Sequence, residues 1–399
     1  MSFLEKGAEM SELSQKLGEM LQSAVDKGYF AGVNLLIMKD GKEVVYTEAG
    51  YANIEEKRPF KRDTICRIYS MSKTITAAAA MLLVERGILD LGQSVGDYID
   101  SFKNLEIWEN GKKVPTYKWM VIKDLLSMTS GLSYGGEDPA GQEVWRILEE
   151  MDAKLYTDEA LTTMEIAEKI GNCGLSFKPG SKWMYGTSAD ILGAVIEKVS
   201  GMRFGDFLKK EIFEPLGMKD TGFYVPEDKR DRLADVYETT PEGITLCRTN
   251  HLGIKYTLDA PPAFESGGAG LVSTLDDFSK FATMLLNKGS FEGRQILKPK
   301  TVEFLTGGKL TPRQLESMWE DWESMYGYNY GNLMRVMEEP RMAQFHTWKG
   351  EYGWDGWLGT YFCNSPENKV TILLNCQKKD AGTTNVTRRI RNVLAQYID

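Results

Sequence analysis

The run RIYSMSKTITAAAAMLLVERG, Arg67–Gly87, puts Ser70 and Lys73 three residues apart at the head of a stretch too apolar for a surface. In a helix that spacing sets Lys73 one turn after Ser70 on the same face. From Ala77 to Val84 the run is apolar all round, which predicts a helix through the middle of a domain. Burial disfavours a charged lysine, and the positive end of the helix adds to the effect, so Lys73 is expected to lose its proton easily. Ser70 meets free backbone N–H groups at the same helix start, which favour developing negative charge. The pieces make an activated serine without histidine. A bare Ser-x-x-Lys also arises when a serine caps a helix and a lysine snorkels outward, so the rest of the chain must supply partners.

Both ends of the chain read as antiparallel sheet. An amphipathic helix is expected over residues 10–27, with Leu13, Leu17, Met20, Leu21 and Val25 at helical spacing. AGVNLLIMKD and KEVVYTEAGYA follow as two strands around Asp40-Gly41, a strong hairpin signal. Near the other end, GTYFCNSPENKVTILLNCQ reads as two strands around Pro366–Asn368, and NVTRRIRNVLAQYID as a closing helix. Between them, residues 70–87, 121–130, 143–152, 160–171, 188–200, 204–213 and 275–288 read as helices. The expected fold is an α/β (α+β) sandwich: one antiparallel sheet formed from both termini, flanked by helices, with a large mostly helical insertion. The expected division is a discontinuous sheet domain, 1–60 with 325–399, and a helical domain, 61–324, with the active site between them.

Composition excludes several classes. The 48 basic and 57 acidic residues give a net charge of −9 with no basic stripe, so no nucleic-acid partner is expected. No segment reaches the ~20 apolar residues of a membrane span, so no membrane partner is expected. The acidic start MSFLEKGAEMSELSQKLGEM is unlike a secretory signal and points to the cytoplasm. Five cysteines, Cys66, Cys173, Cys247, Cys363 and Cys376, are odd in number and widely spaced, as in a reducing compartment. With only His251 and His346 as histidines and no His-Glu-x-x-His, neither a metal nor a cofactor is expected. Oligomeric state is left open.

Several motifs in one order carry a resemblance. Ser70-Met71-Ser72-Lys73, LLSMTSGLSYGG (Leu125–Gly136), FKPGSKWMYGTSADILGAVIEKVSG (Phe177–Gly201) and FESGGAGLVSTLDDFSKF (Phe264–Phe281) resemble the serine β-lactamase-like hydrolases. That superfamily includes class C β-lactamases and penicillin-binding proteins, and the nearest branch is the family VIII carboxylesterases. The resemblance runs from about Ala31 to Gln377 and implies a β-lactamase/transpeptidase-like fold. It implies Ser70 as nucleophile, Lys73 as base, and Tyr185 as third catalytic group ahead of a helix capped by Thr187 or Ser188. It also matches Trp354-Asp355-Gly356 to the strand motif that is Lys-Thr-Gly in the β-lactamases. The backbone N–H groups of Ser70 and Trp357 are then expected to form the oxyanion hole.

Trp354 in place of a lysine argues against recognition of a β-lactam carboxylate, and a pocket-facing Asp355 repels it. Arg341 and Lys349, nearby in sequence, are candidates to compensate. Asp355 itself either selects cationic amine substrates, steadies Lys73, or simply points to solvent. The implied activity is hydrolysis of a small-molecule ester or amide through an acyl-enzyme, with carboxylic esters leading. The alternatives are a β-lactamase or D-amino-acid peptidase, an acyltransferase differing only in the final acceptor, and an inactive binding protein on this fold. A pure binder has no need of serine, lysine and tyrosine together.

Gly131-Leu132-Ser133-Tyr134-Gly135 matches the Gly-x-Ser-x-Gly elbow of other hydrolases, but that motif needs a strand before it and a helix after it. A helical run precedes it here, so Ser133 is a decoy and the loop is expected to line the pocket, with Tyr134 as an acyl-group wall. SGGAG, Ser266–Gly270, lacks the ending of a phosphate loop and reads as a tight turn. Trp183, Trp348, Trp354 and Trp357 are candidates for an apolar acyl pocket.

Overall fold

The computed structural model describes residues 3–398. At its centre is an eight-stranded antiparallel sheet. Its strands are β1 (Gly32–Lys39), β2 (Lys42–Asn53), β3 (Arg58–Pro59), β4 (Tyr328–Tyr330), β5 (Arg335–Met337), β6 (Tyr352–Asp355), β7 (Tyr361–Ser365) and β8 (Val370–Cys376). The order is β4-β5-β6-β7-β8-β1-β2-β3. The two chain ends therefore meet inside the sheet, where β1 pairs with β8 from Val33↔Cys376 to Lys39↔Val370. The β1–β2 hairpin turns at Asp40 (φ 51°) and Gly41 (φ 74°), the double positive φ that makes Asp-Gly the preferred pair.

The near-continuous apolar run of β1 reflects coverage on both faces. On one face Val33, Leu35 and Ile37 join Ile372 and Leu374 of β8. They pack against Leu13, Leu17 and Leu21 of helix α1 (Phe3–Asp26) and Ile390 and Leu394 of the closing helix. On the other face, Leu36, Phe362 and Leu373 belong to the large core shared with the helical region. Through that region runs α2 (Ser72–Glu85), whose Ala77–Ala80 are fully buried, and beside it packs α3 (Ser188–Ser200). The small alanine side chains let neighbouring helices approach closely while leaving no polar group to satisfy.

The expected helices differ from the observed ones mainly at their ends. The 70–87 helix opens as a 3₁₀ turn, Tyr69–Met71, before α2 begins. The 121–130 helix is only Ile122–Leu126, because Met128 turns left-handed (φ 56°). The 143–152 helix extends to Pro139–Lys154, started by Asp138, whose side chain accepts from the Ala140 and Gly141 N–H groups. The 204–213 segment is α-helical only to Leu208 and continues as a π-turn, Lys209–Phe213. Thr187 occupies the N-cap of α3 without a capping bond, and Gly201 closes the helix at φ 68°. Helices Pro299–Thr306 and Pro312–Asp321 lie outside the expected set. Among the described residues no helix is long and apolar enough to cross a membrane.

Candidate active site

The turn carrying Ser70 is pinned from several sides. The side-chain amide of Gln377 accepts from the Arg67 N–H (3.0 Å) and donates to the Arg67 carbonyl (3.1 Å). The Ile68 N–H donates to the Leu271 carbonyl at 3.0 Å, and the Ile68 carbonyl accepts from Thr360 Oγ1 at 3.2 Å. Between these anchors Tyr69 is forced to φ 41°, a conformation that costs a non-glycine residue about 1–3 kcal/mol. Gly356 lies against the same turn. A Cβ there would collide with the Ile68 carbonyl oxygen, so only glycine lets the end of β6 reach the nucleophile.

Lys73 is completely buried, and its Nζ donates to Ser70 Oγ (3.1 Å), Tyr134 OH (3.0 Å) and the Gly268 carbonyl (2.8 Å). No carboxylate lies within ion-pair distance of it among the described residues. Burial pushes its pKa down to about 7, against the opposing pull of Asp190 and Asp355. Of its three contacts only the carbonyl is acceptor-only, so a neutral amine can donate to Gly268 and Tyr134 and turn its lone pair toward Ser70.

Tyr185 joins them. Its hydroxyl accepts from Trp354 Nε1 at 3.0 Å, its ring centroid lies 4.6 Å from Lys73 Nζ, and it lines the same cavity as Ser70. Burial pushes the phenol pKa up, outweighing the opposing pull of Ser70 and Trp354, so it is a phenol rather than a phenolate at neutral pH.

The backbone N–H groups of Ser70 and Trp357 make no hydrogen bond to another described residue, and both residues line a cavity of about 590 Å³. Its walls combine aromatic and apolar side chains, Trp322, Met325, Tyr328, Phe345 and Trp354, with polar ones such as Asp380, Thr383 and Arg388. The Trp357 ring is fixed by the edge of Tyr69 (5.0 Å), a stack on His251 (3.9 Å) and a hydrogen bond from its Nε1 to Asp380 (2.6 Å).

Four expectations need correction. Tyr134 is not a cavity wall: Leu132 packs against Gly186 beside it, and its hydroxyl is drawn behind the site to Lys73. Asp355 is neither solvent-facing nor free for a cationic amine. It pairs with Arg335 at 3.3 Å and accepts from Thr383, with both charged side chains largely buried. Arg341 and Lys349 do not compensate for the missing lysine, being exposed and outside the cavity; the arginines that line it are Arg335, brought across from β5 and paired with Asp355, and Arg388. Of the four tryptophans only Trp354 and Trp357 line the cavity. Trp183 stacks behind Tyr185 and Trp348 packs on Arg391.

The decoy readings hold no chemistry. Ser133 is buried and accepts from the Gly135 N–H, with no strand ahead of it. SGGAG wraps the start of α2: its Gly267 has no room for a Cβ against the Ala189 carbonyl, and its Gly268 presents the carbonyl that Lys73 uses.

The sequence reading missed Asp190, Arg335 and Trp322. Asp190 is buried one turn into α3, where it accepts from Ser266 Oγ (2.5 Å) and the Gly268 N–H (3.0 Å). Burial raises its pKa, while Lys73 and these hydrogen bonds pull it down. An acid within the apolar run SADILGAVI was its one visible signal. Arg335 and Trp322 gave none, since only the folded sheet brings them to the site.

A serine hydrogen-bonded to a buried lysine, with a phenol beside them, is the arrangement of a serine hydrolase of the β-lactamase type. The chain belongs to the beta-lactamase family, which it matches over residues 17–396. It is 29% identical over 376 residues to lovastatin esterase of Penicillium rubens, covering 87% of this chain and 89% of that protein. It is 26% identical over 380 residues to esterase EstB of Burkholderia gladioli, covering 91% and 90%. Among solved structures, EstCE1, a hydrolase with promiscuous acyltransferase activity, superposes with a TM-score of 0.81 at 25% identity, covering 97% of this chain and 99% of that one.

Proposed function

We propose that this protein hydrolyses small carboxylic esters through an acyl-enzyme on Ser70. Neutral Lys73 takes the Ser70 proton as Oγ bonds to the ester carbonyl carbon, and the oxyanion is held by the Ser70 and Trp357 N–H groups. Collapse breaks the bond to the alcohol oxygen. Tyr185 gives its proton to that oxygen and recovers one from the Lys73 ammonium. Water then enters by the reverse route, its proton passing through Tyr185 to Lys73 as its oxygen bonds to the acyl carbon; the acyl–Oγ bond breaks, Lys73 returns the proton to Ser70 Oγ, and the acid leaves.

The observation that carries this reading is the Lys73 environment: a fully buried amine with no acid partner among the described residues, hydrogen-bonded to the serine it would deprotonate. Esters rather than β-lactams are favoured because Trp354 stands on the strand that would need a lysine, and Arg335 is already occupied by Asp355. The names of the two esterase relatives support the same choice. No cofactor enters the scheme. We further propose that 1–60 with 325–399 and 61–324 form two units with the active site between them. We also propose a cytoplasmic location, on the five unpaired cysteines.

The test is intact mass after exposure to an activated phosphonate ester. One adduct on the wild type and none on Ser70→Ala supports the scheme; adducts on both redirect it to Ser133. No adduct on either favours the inactive binding protein. Turnover of a chromogenic cephalosporin faster than of any simple ester would overturn the substrate choice.

A further inference from the structure

Away from the catalytic cavity lies a second cleft, of about 600 Å³, and no residue lines both. Four arginines contribute to it: Arg58, Arg67, Arg230 and Arg248. Arg67 is the buried one, 4% exposed. Its guanidinium donates to the Ala234 carbonyl (2.7 Å) and the Tyr256 carbonyl (2.5 Å) and lies 4.5 Å from the Tyr256 ring centroid. Its Nε has no partner, and no carboxylate lies within 4 Å of it among the described residues. A buried guanidinium without an anion in contact is costly, and burial lowers the Arg67 pKa against the longer-range pull of Tyr256, Tyr69 and Asp235.

The acids around the cleft do not supply that anion. Asp235 is taken by Asn53 (2.6 Å), the Tyr256 hydroxyl (2.5 Å) and Arg58 (3.7 Å). Glu56 pairs with Arg58 at 3.5 Å, and Asp231 and Asp259 are exposed at the rim. Arg230 donates from Nε to the Val225 carbonyl and from Nη2 to the Asp259 carbonyl, leaving Nη1 without a partner, as exposed Arg248 is, among the described residues.

We infer that this cleft is a binding site for a small oxyanion, a phosphate monoester or a carboxylate, seated on Arg67 with Arg230 and Arg248 at its mouth. Planar guanidinium groups suit such oxygens because each can offer two parallel N–H donors. The site stands independently of the esterase reading.

Calorimetric titration of the full chain with sodium phosphate and with sodium acetate tests it, each against sodium chloride at equal ionic strength. Saturable one-site binding of either anion is expected; phosphate alone would name the phosphate source, acetate alone the carboxylate source. The exposed pair Arg230→Gln with Arg248→Gln should weaken binding about tenfold, and Arg67→Lys should abolish it. If Arg67→Lys shows no cooperative melt, the rim variant decides. Heats equal to the chloride control for both anions, or affinity unchanged in the rim variant, would overturn the proposal.

Discussion

Lys73 Nζ lies 3.1 Å from Ser70 Oγ with no carboxylate of the described residues at ion-pair distance, so its neighbour in the site is the group it can deprotonate. Most buried lysines are paired with acids, which hold them charged. Here Asp190 exerts only a longer-range pull, and burial wins. The site therefore contains an amine whose pKa, about 7, lies near the pH at which a general base works best.

The first consequence is a pH profile. The proposed base is active when neutral, so kcat/KM for a simple ester should rise with an apparent pKa near 7 and fall in acid. The same shift acts on stability. Between about pH 7 and the ordinary lysine value of 10.5, the unfolded chain binds a proton at Lys73 that the folded chain does not. Stability from this group therefore increases with pH across that window. Lys73→Met should abolish turnover and flatten that part of the melting-temperature profile, which thermal melts from pH 6 to 10 can measure.

Asp190→Asn removes a charge that raises the Lys73 pKa. The acid limb of the rate profile should move to lower pH. A limb that stays in place, with only the maximum rate reduced, would make Asp190 a purely structural residue.

Tyr185→Phe takes away the proposed proton donor to the leaving group. A loss of about 10²–10⁴ in kcat is expected. The loss should shrink for esters with acidic leaving alcohols, which need little protonation. The variant also leaves Trp354 Nε1 without its acceptor, at a cost of about 1–3 kcal/mol in denaturant unfolding.

The Arg335–Asp355 pair should matter more to folding than to charge selection. Asp355→Asn strands a largely buried guanidinium and should cost about 3–5 kcal/mol by chemical denaturation. Arg335→Met with Asp355→Leu should cost much less. The ratio of rates on neutral and cationic esters should be the same for Asp355→Gly as for the wild type. A selective loss of the cationic substrate would restore Asp355 as a specificity residue.

The sequence by itself determined the parts whose physics is local. Asp40-Gly41 demanded a tight hairpin, the alanine-rich run demanded a buried helix, and Ser70 and Lys73 shared a helix face because three residues make nearly one turn. The order of several motifs, with Tyr185 and Trp354-Asp355-Gly356 among them, carried the family. Tertiary structure decided everything that depended on packing between distant segments. Sheet pairing brought Arg335 across to Asp355, loop geometry sent Tyr134 behind Lys73 rather than into the cavity, and a helix end supplied Trp322 to its wall. The lysine shows the division most clearly. Its place on the helix was written locally, but its pKa was set by the surroundings that bury it and keep acids at a distance, and no spacing rule encodes a surrounding.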